Sequence, residues 1–302
     1  MRIAVTGRNG QVVQALLERG PLAGVDVVAV GRPEIDLANP AGIETALKAT
    51  LPDAVISAAA YTAVDLAERE PDIAYTVNGL GAGAVAYASR RLGVPIVHLS
   101  TDYVFDGHLE RPYGEKDATG PTSIYGQSKL AGEHAVAEAN NNHAILRTAW
   151  IYSPFGKNFA RTMLSLASTR DEVSVVDDQW GSPTNAFDIA DTVICVARNL
   201  VMEPKATGLR GVFHMTSSGE TNWAEFAEAI FAASRLIGGP SARVNRIPSS
   251  DYPTPAKRPL NSRLDNSRLA RSHHVRLPPW QASLPPTIER LVARDFKERV
   301  PS

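Results

Sequence analysis

The sequence predicts an α/β fold: a doubly wound parallel sheet with a smaller C-terminal domain interleaved with it. Two observations carry the prediction. Short β-rich runs alternate with longer helical stretches through the first half of the chain, the order that builds a parallel sheet covered on both faces. The first run, residues 3–6, leads at once into a glycine-bearing turn and a helical stretch, the opening of a βαβ unit.

Taken in order, strands are expected over 3–6, 26–30, 53–57, 94–99 and 144–147. Helices are expected over 11–19, 40–51, 74–92 and 125–139. Asn39 stands where it would cap the second of these, with Pro40 at its first position. Past residue 150 proline becomes more frequent, and Pro248, Pro253, Pro255 and Pro259 lie close together. Helices are expected there over 158–167, 187–199, 223–234 and 286–296, with strands over 173–176 and 212–215.

Composition narrows the function classes. The 302 residues carry 31 basic and 32 acidic side chains, a net charge of −1, with 44% hydrophobic residues. No block of like charge stands out, so no global field draws in nucleic acid or a membrane surface. The lone cysteine, Cys195, cannot form an intramolecular disulfide. It sits in a helical apolar run, as a small core residue does. No Cys/His cluster suggests a metal. A strand at Met1–Val5 leaves no room for a signal peptide, and no apolar run reaches membrane-spanning length. A cytoplasmic protein is expected.

Strand, then Gly7-Arg8-Asn9-Gly10, then helix is the arrangement that cradles a pyrophosphate. Glycines let the backbone turn sharply, and the helix N-terminus offers N–H groups and positive dipole. Gln11 and Val12 open that helix. The position where a third glycine is usual holds Val13, which predicts a wider separation of helix and sheet. After the second strand comes Gly31-Arg32. A carboxylate there would favour NADH. The Arg32 guanidinium, with Arg8 nearby, suits a 2′-phosphate instead, so NADPH is expected, with NADH possible. This Rossmann-type reading assigns 1–150 to the dinucleotide and 151–302 mainly to a substrate, with some later segments returning to the sheet.

Tyr125 and Lys129 stand four residues apart on one helical face. Reducing a ketone needs a proton on oxygen as hydride reaches carbon. A phenol of ordinary pKa about 10 is a poor donor at neutral pH, and a neighbouring ammonium is expected to lower it. Leu99-Ser100-Thr101-Asp102-Tyr103-Val104-Phe105 follows the fourth strand, at the sheet edge where ligands bind. Thr101 can offer its hydroxyl to the same carbonyl oxygen.

Several strings together resemble the extended short-chain dehydrogenase/reductases, and among them the reductases of dTDP-linked 4-keto deoxysugars. They include Gly7 to Val12, Asp36 to Pro40, Ala58 to Asp65 with Glu68, Ser100 to Phe105, Tyr125 to Glu133, Arg147 to Tyr152, Asp178 to Thr184 and Arg258 to Leu264. The resemblance implies NADPH-dependent reduction of the C4 keto group of dTDP-4-dehydro-L-rhamnose to dTDP-L-rhamnose. By the same implication Tyr125 is the proton donor, Lys129 its electrostatic partner and Thr101 the third catalytic hydroxyl. Gly10, Gln11 and Val12 would line the pyrophosphate. Asp36 and Leu37 would flank the adenine, and Ala60, Tyr61 and Thr62 the rest of the cofactor. Thr101, Asp102, Tyr103 and Trp150 would face the deoxysugar, with Arg258 and Asn261 on the diphosphate. Some relatives dimerise through magnesium held by glutamates. Ala15 and Phe187 stand at the corresponding positions here, so a monomer or weak homodimer without metal is expected. Three other functions stay open: a 4-ketoreductase for another dTDP-deoxysugar, an epimerase, and an NADP-binding regulatory subunit like the regulator of methionine adenosyltransferase.

Overall fold

The computed structural model describes residues 1–296. The first half runs β1 (Arg2–Thr6), α1 (Gln11–Leu22), β2 (Asp26–Val30), α2 (Ile43–Ala49), β3 (Ala54–Ser57), α3 (Val64–Ala67), α4 (Pro71–Tyr75), α5 (Ala82–Arg91), β4 (Ile96–Thr101), α6 (Ile124–Ala139) and β5 (His143–Thr148). The second half adds β6 (Ile151–Tyr152), α7 (Phe159–Ala167), β7 (Glu172–Val176), β8 (Trp180–Gly181), β9 (Thr184–Asn185), α8 (Ala186–Met202), β10 (Gly211–His214), β11 (Thr221–Asn222), α9 (Trp223–Leu236), β12 (Arg243–Ile247), α10 (Ser267–His273) and α11 (Trp280–Asp295).

Six strands form one parallel sheet in the order β10-β5-β4-β3-β1-β2. All four residues of β3 are buried, as expected of a central strand covered on both faces. Val12, Leu16, Ile189 and Val193 of α1 and α8 pack on one face. Ile43, Val85 and Val136 of α2, α5 and α6 pack on the other. The chain leaves β1 for β2 on one side and continues through β3, β4 and β5 on the other, so the switch point lies between β1 and β3. β10 then returns from the second half to pair with β5, Gly211 beside Ala144 through His214 beside Arg147. A separate core of Tyr152, Leu164, Phe226, Phe231, Ile288 and Leu291 holds α7, α9 and α11 together.

Three predicted elements differ from the structure. The helix expected from Pro40 begins at Ile43, because Gly42 takes a left-handed conformation, φ 91°, immediately before it. Asn39 instead accepts from the Ala41 N–H at 3.3 Å, closing a local turn. The helix expected over 74–92 is interrupted by a π-helical segment, Thr76–Gly81. The last helix begins at Trp280, ahead of Pro285 and Pro286. The carbonyls those prolines cannot bond belong to Gln281 and Ala282, both exposed, where water can satisfy them. β12 was not anticipated: its Arg-Val-Asn-Arg-Ile sequence is mostly exposed and becomes a strand only by pairing with β7.

Candidate active site

The turn after β1 has the shape the sequence predicts. Gly7 is left-handed, φ 98°, a conformation glycine adopts without strain. Gly10 precedes α1 with no side-chain cap, whereas α7, α8 and α9 are capped by Asn158, Asn185 and Asn222. The first N–H groups of α1 are therefore open to an anion. Val13 is buried; its methyl would stand 3.5 Å from a Cβ on Gly7, so it fills the space beside the turn. Gln11 turns its Oε1 toward the second half, accepting from Ser153 Oγ at 2.7 Å and Asn158 Nδ2 at 3.1 Å.

The loop after β3 is pinned to that turn. Thr6 Oγ1 accepts from the N–H groups of Ala58 and Ala59, each at 3.0 Å. Asn78, buried in the π-helical segment, accepts from the Tyr61 N–H at 2.8 Å. It also donates to Tyr61 O and to Ser128 Oγ of α6, both at 3.0 Å. The extra residue of a π turn re-aims side chains and is frequent at functional sites. Here it fastens the loop carrying Ala60, Tyr61 and Thr62 to the helix carrying Tyr125 and Lys129. The Tyr61 hydroxyl donates to Glu70 at 2.6 Å, which pushes its pKa up to about 12. Leu37 is buried, and its carbonyl lies so near Gly81 that a Cβ there would stand 2.6 Å away. Asp36 caps its own turn, accepting from the Ala38 N–H at 3.0 Å. Arg8 is paired with Glu34 at 2.6 Å, while Arg32 is exposed and carries no ion pair among the described residues.

Thr101 ends β4, and its Oγ1 donates to Asp102 Oδ1 at 3.0 Å and accepts from the Tyr103 N–H at 3.2 Å. α6 starts opposite it. Ser123 caps the helix through the Gly126 N–H at 3.2 Å, and Glu68 accepts from the Ile124 N–H at 2.8 Å. Tyr125 meets Tyr103 edge-on, with ring centroids 5.5 Å apart. Burial, then the Asp102 carboxylate, drive the Tyr125 phenol well above its ordinary value, with the Thr101 hydroxyl opposing them. The lowering expected from lysine is not among the influences on this phenol. Lys129 is buried and directs Nζ to the Leu99 carbonyl at 2.6 Å, with His98 Nε2 at 3.4 Å. Burial lowers its pKa to about 8, against the Glu133 carboxylate. His98 in turn meets Ser57 Oγ through Nδ1 at 3.0 Å. Burial and the Lys129 charge hold the imidazole well below its ordinary pKa, so it is neutral and its Nε2 accepts from the ammonium.

Behind the site Glu133 accepts from Ser100 Oγ at 2.5 Å and from Arg147 Nε and Nη2 at 2.8 and 2.6 Å. The Arg147 guanidinium stands 5.0 Å over the Phe105 ring. Asp102 is buried and raised to about 6 by desolvation, with the Ser262 and Thr101 hydroxyls opposing; its Oδ2 makes no hydrogen bond among the described residues.

Trp150 follows β5 in a left-handed conformation, φ 50°, uncommon for a bulky residue. Its indole stacks on Trp223 at 3.6 Å, and a Cβ on Gly181 would stand 2.6 Å from the ring. Arg258 pairs with Asp65 at 2.7 Å. Asn261 is different from the expectation: Nδ2 donates to Leu109 O and Arg111 O at 2.6 and 2.8 Å, and Oδ1 accepts from Arg263 N and Nε at 3.0 and 2.8 Å. An amide has no more groups to offer, so Asn261 is a staple of the C-terminal strap. His98, Asn78 and Trp223 carry no role in the sequence reading, and Glu68 enters it only within a resembling string. A histidine inside an apolar strand and an asparagine inside a helix were the available signals.

Sheet order, glycine turn, and Thr101, Tyr125 and Lys129 at one sheet edge define an extended short-chain dehydrogenase/reductase. The model for the RmlD substrate binding domain matches residues 1–293, and the chain belongs to that family. It is 50% identical over 283 residues to a dTDP-4-dehydrorhamnose reductase of Sinorhizobium fredii, covering 94% of this chain and 95% of the relative. It is 40% identical over 290 residues to the Escherichia coli protein of that name, covering 94% and 96%. Its fold matches the dTDP-4-dehydrorhamnose reductase of Bacillus anthracis, solved in complex with NADP, with a TM-score of 0.87, 34% identity and coverage of 97% and 98%.

Proposed function

We propose that the protein is an oxidoreductase that uses NADPH to reduce the C4 keto group of dTDP-4-dehydro-L-rhamnose, giving dTDP-L-rhamnose. The observation that carries this reading is the meeting of Thr101 on β4 with the α6 pair Tyr125 and Lys129, beside the open N-terminus of α1. Residues 1–150 hold the dinucleotide, and 151–302 mainly shape the sugar-nucleotide site. The left-handed Gly7 and the uncapped α1 fit a dinucleotide's pyrophosphate, and Arg32, exposed and without an ion pair among the described residues, fits its 2′-phosphate; Asp36, Leu37, Ala60, Tyr61 and Thr62 would flank it. When bound, NADPH supplies the hydride to C4. Tyr125 gives its proton to the C4 oxygen, Thr101 orients that oxygen, and Lys129 holds positive charge beneath the phenolate left behind. Asp102, Tyr103 and Trp150 hold the deoxysugar, and Arg258 faces the diphosphate. No helix among the described residues is long and apolar enough to cross a membrane. A cytoplasmic monomer or weak homodimer fits the expected role.

The test is keto-sugar-dependent loss of reduced-nicotinamide absorbance. dTDP-4-keto-6-deoxyglucose is supplied with and without its 3,5-epimerase, and NADPH is compared with NADH. Oxidation that needs the epimerase and prefers NADPH is the expected result. Cofactor binding with no oxidation of either nucleotide would turn the reading to another keto-sugar or to a regulatory subunit.

The pH profile offers a second test. Lys129 loses its proton near pH 8, so kcat is expected to fall as pH rises through about 8. Stability should move oppositely. Between about pH 8 and the ordinary lysine range the folded state binds fewer protons than the unfolded, so this group contributes increasing stability as pH rises. Rates and urea midpoints measured from pH 7 to 10 separate the two trends; a flat kcat across that range would remove Lys129's charge from the mechanism.

A further inference from the structure

Two segments distant in sequence meet at Asp65. Its Oδ1 accepts from the Ala256 N–H at 3.2 Å, and its Oδ2 from Arg258 Nη2 at 2.7 Å. The pair is partly shielded, with the Arg258 side chain 22% exposed. The guanidinium also lies beside Tyr103, where its charge opposes the rise that burial imposes on that phenol. Tyr103 in turn packs on Tyr125. Arg258 Nη1 is buried and makes no hydrogen bond among the described residues. A buried charged donor without an acceptor is costly, and a phosphate oxygen is the acceptor a guanidinium fork suits.

The other end of the Asp65 segment is the cofactor loop. Ala58 and Ala59 are fixed to Thr6, Tyr61 is fixed to Asn78, and Glu68 caps the helix of Tyr125. Residues 58–68 thus run from the switch point of the sheet, past Asp65, to the start of α6.

We propose that Asp65 is a positioning residue for the diphosphate of the nucleotide-sugar: it holds Arg258 so that Nη1 meets a phosphate oxygen, and it links that contact to the cofactor loop, so that bound dinucleotide strengthens diphosphate binding. The inference rests on the reading that Arg258 faces a dTDP-sugar. Asp65 has two opposing influences on an anion. Its charge partly cancels that of Arg258, and its geometry orients the fork. Removing the charge alone would tighten anion binding, whereas losing the orientation weakens it, so the sign of the effect decides between them.

The experiment is calorimetric titration of dTDP into the full-length protein with and without saturating NADP+, for wild type, Asp65→Asn and Asp65→Glu. In the wild type NADP+ should tighten dTDP roughly tenfold, within the usual range of coupling between sites. In Asp65→Asn that gain disappears and dTDP binds roughly tenfold more weakly in the presence of NADP+. The affinity for NADP+ itself, measured without dTDP, holds steady, which shows the variant is folded. Asp65→Glu recovers part of the gain, and KM for the keto-sugar rises in Asp65→Asn more than kcat falls. Tighter dTDP binding by Asp65→Asn, an undiminished gain in that variant, or no gain in the wild type overturns the inference while leaving the reductase reading in place. Failure of dTDP to bind the wild type under either condition overturns the substrate reading and the inference with it.

Discussion

Replacing Tyr125 with phenylalanine is expected to lower kcat by about 10²–10⁴-fold, the range a positioned general acid contributes, while NADP+ affinity changes only a few-fold. The ring itself is held by packing, edge-on to Tyr103, so the variant loses an O–H and keeps the shape of the site. Burial and the nearby Asp102 carboxylate keep the phenol protonated, ready to donate as the carbonyl oxygen gains charge. After donation the phenolate needs a counter-charge, and the nearest source on the same helix is Lys129. In the structure Lys129 is tied to the Leu99 carbonyl and His98, so its help is given through space or after it turns. Single-turnover rates with saturating NADPH would measure the loss. If the phenylalanine variant kept more than about a tenth of the wild-type rate, the proton would have to come from elsewhere, and Asp102, titrating near pH 6, would be the group to replace next.

The largest stability effect is expected at Glu133. Replacing it with glutamine leaves Arg147 charged, with its side chain 5% exposed and facing a neutral amide. Breaking one side of a buried ion pair costs about 3–5 kcal/mol, because the remaining charge stays desolvated. Arg147 Nη1 already lacks a partner among the described residues, so none of those stands ready as a spare acceptor. The same change weakens the acceptor of Ser100 from a carboxylate to an amide oxygen and removes the carboxylate that supports the charge on Lys129. Urea unfolding should therefore show a lower midpoint, and the alkaline fall in kcat should move to lower pH. An unchanged midpoint would mean that Arg147 finds another acceptor or water, and that the pair is not what anchors α6 to β5.

The parts of the site that were legible in the sequence are those set by local rules. A strand end places Thr101, helical spacing places Tyr125 beside Lys129, and glycines place the phosphate turn. Each depends on neighbours in sequence. What was illegible depends on contacts between distant segments. Nothing near Lys129 announces that its ammonium reaches the carbonyl of Leu99, or that burial dominates the phenol of Tyr125. Asn261 reads as a ligand donor until the loop at 109–111 is seen to consume its amide. The π-helical segment is poor in helix formers, with two glycines and an asparagine, but the tight approach of Gly81 to Leu37 and of Gly132 to Asn78 becomes visible only once helices pack. Proline misled the reading at α11, since two prolines near its start cost only bonds from exposed carbonyls.

The return of β10 to the main sheet limits how such proteins can be recombined. A cut after residue 150 would strip β5 of its outer neighbour, leaving an open row of backbone donors and acceptors of the kind that invites strand-to-strand aggregation. It would also remove Phe213, Met215 and all of α8 from the core beneath the sheet. The two halves are therefore not interchangeable modules. A chimera meant to change the sugar while keeping the cofactor must leave α8 and β10 with the first half, exchanging only the segments that surround them.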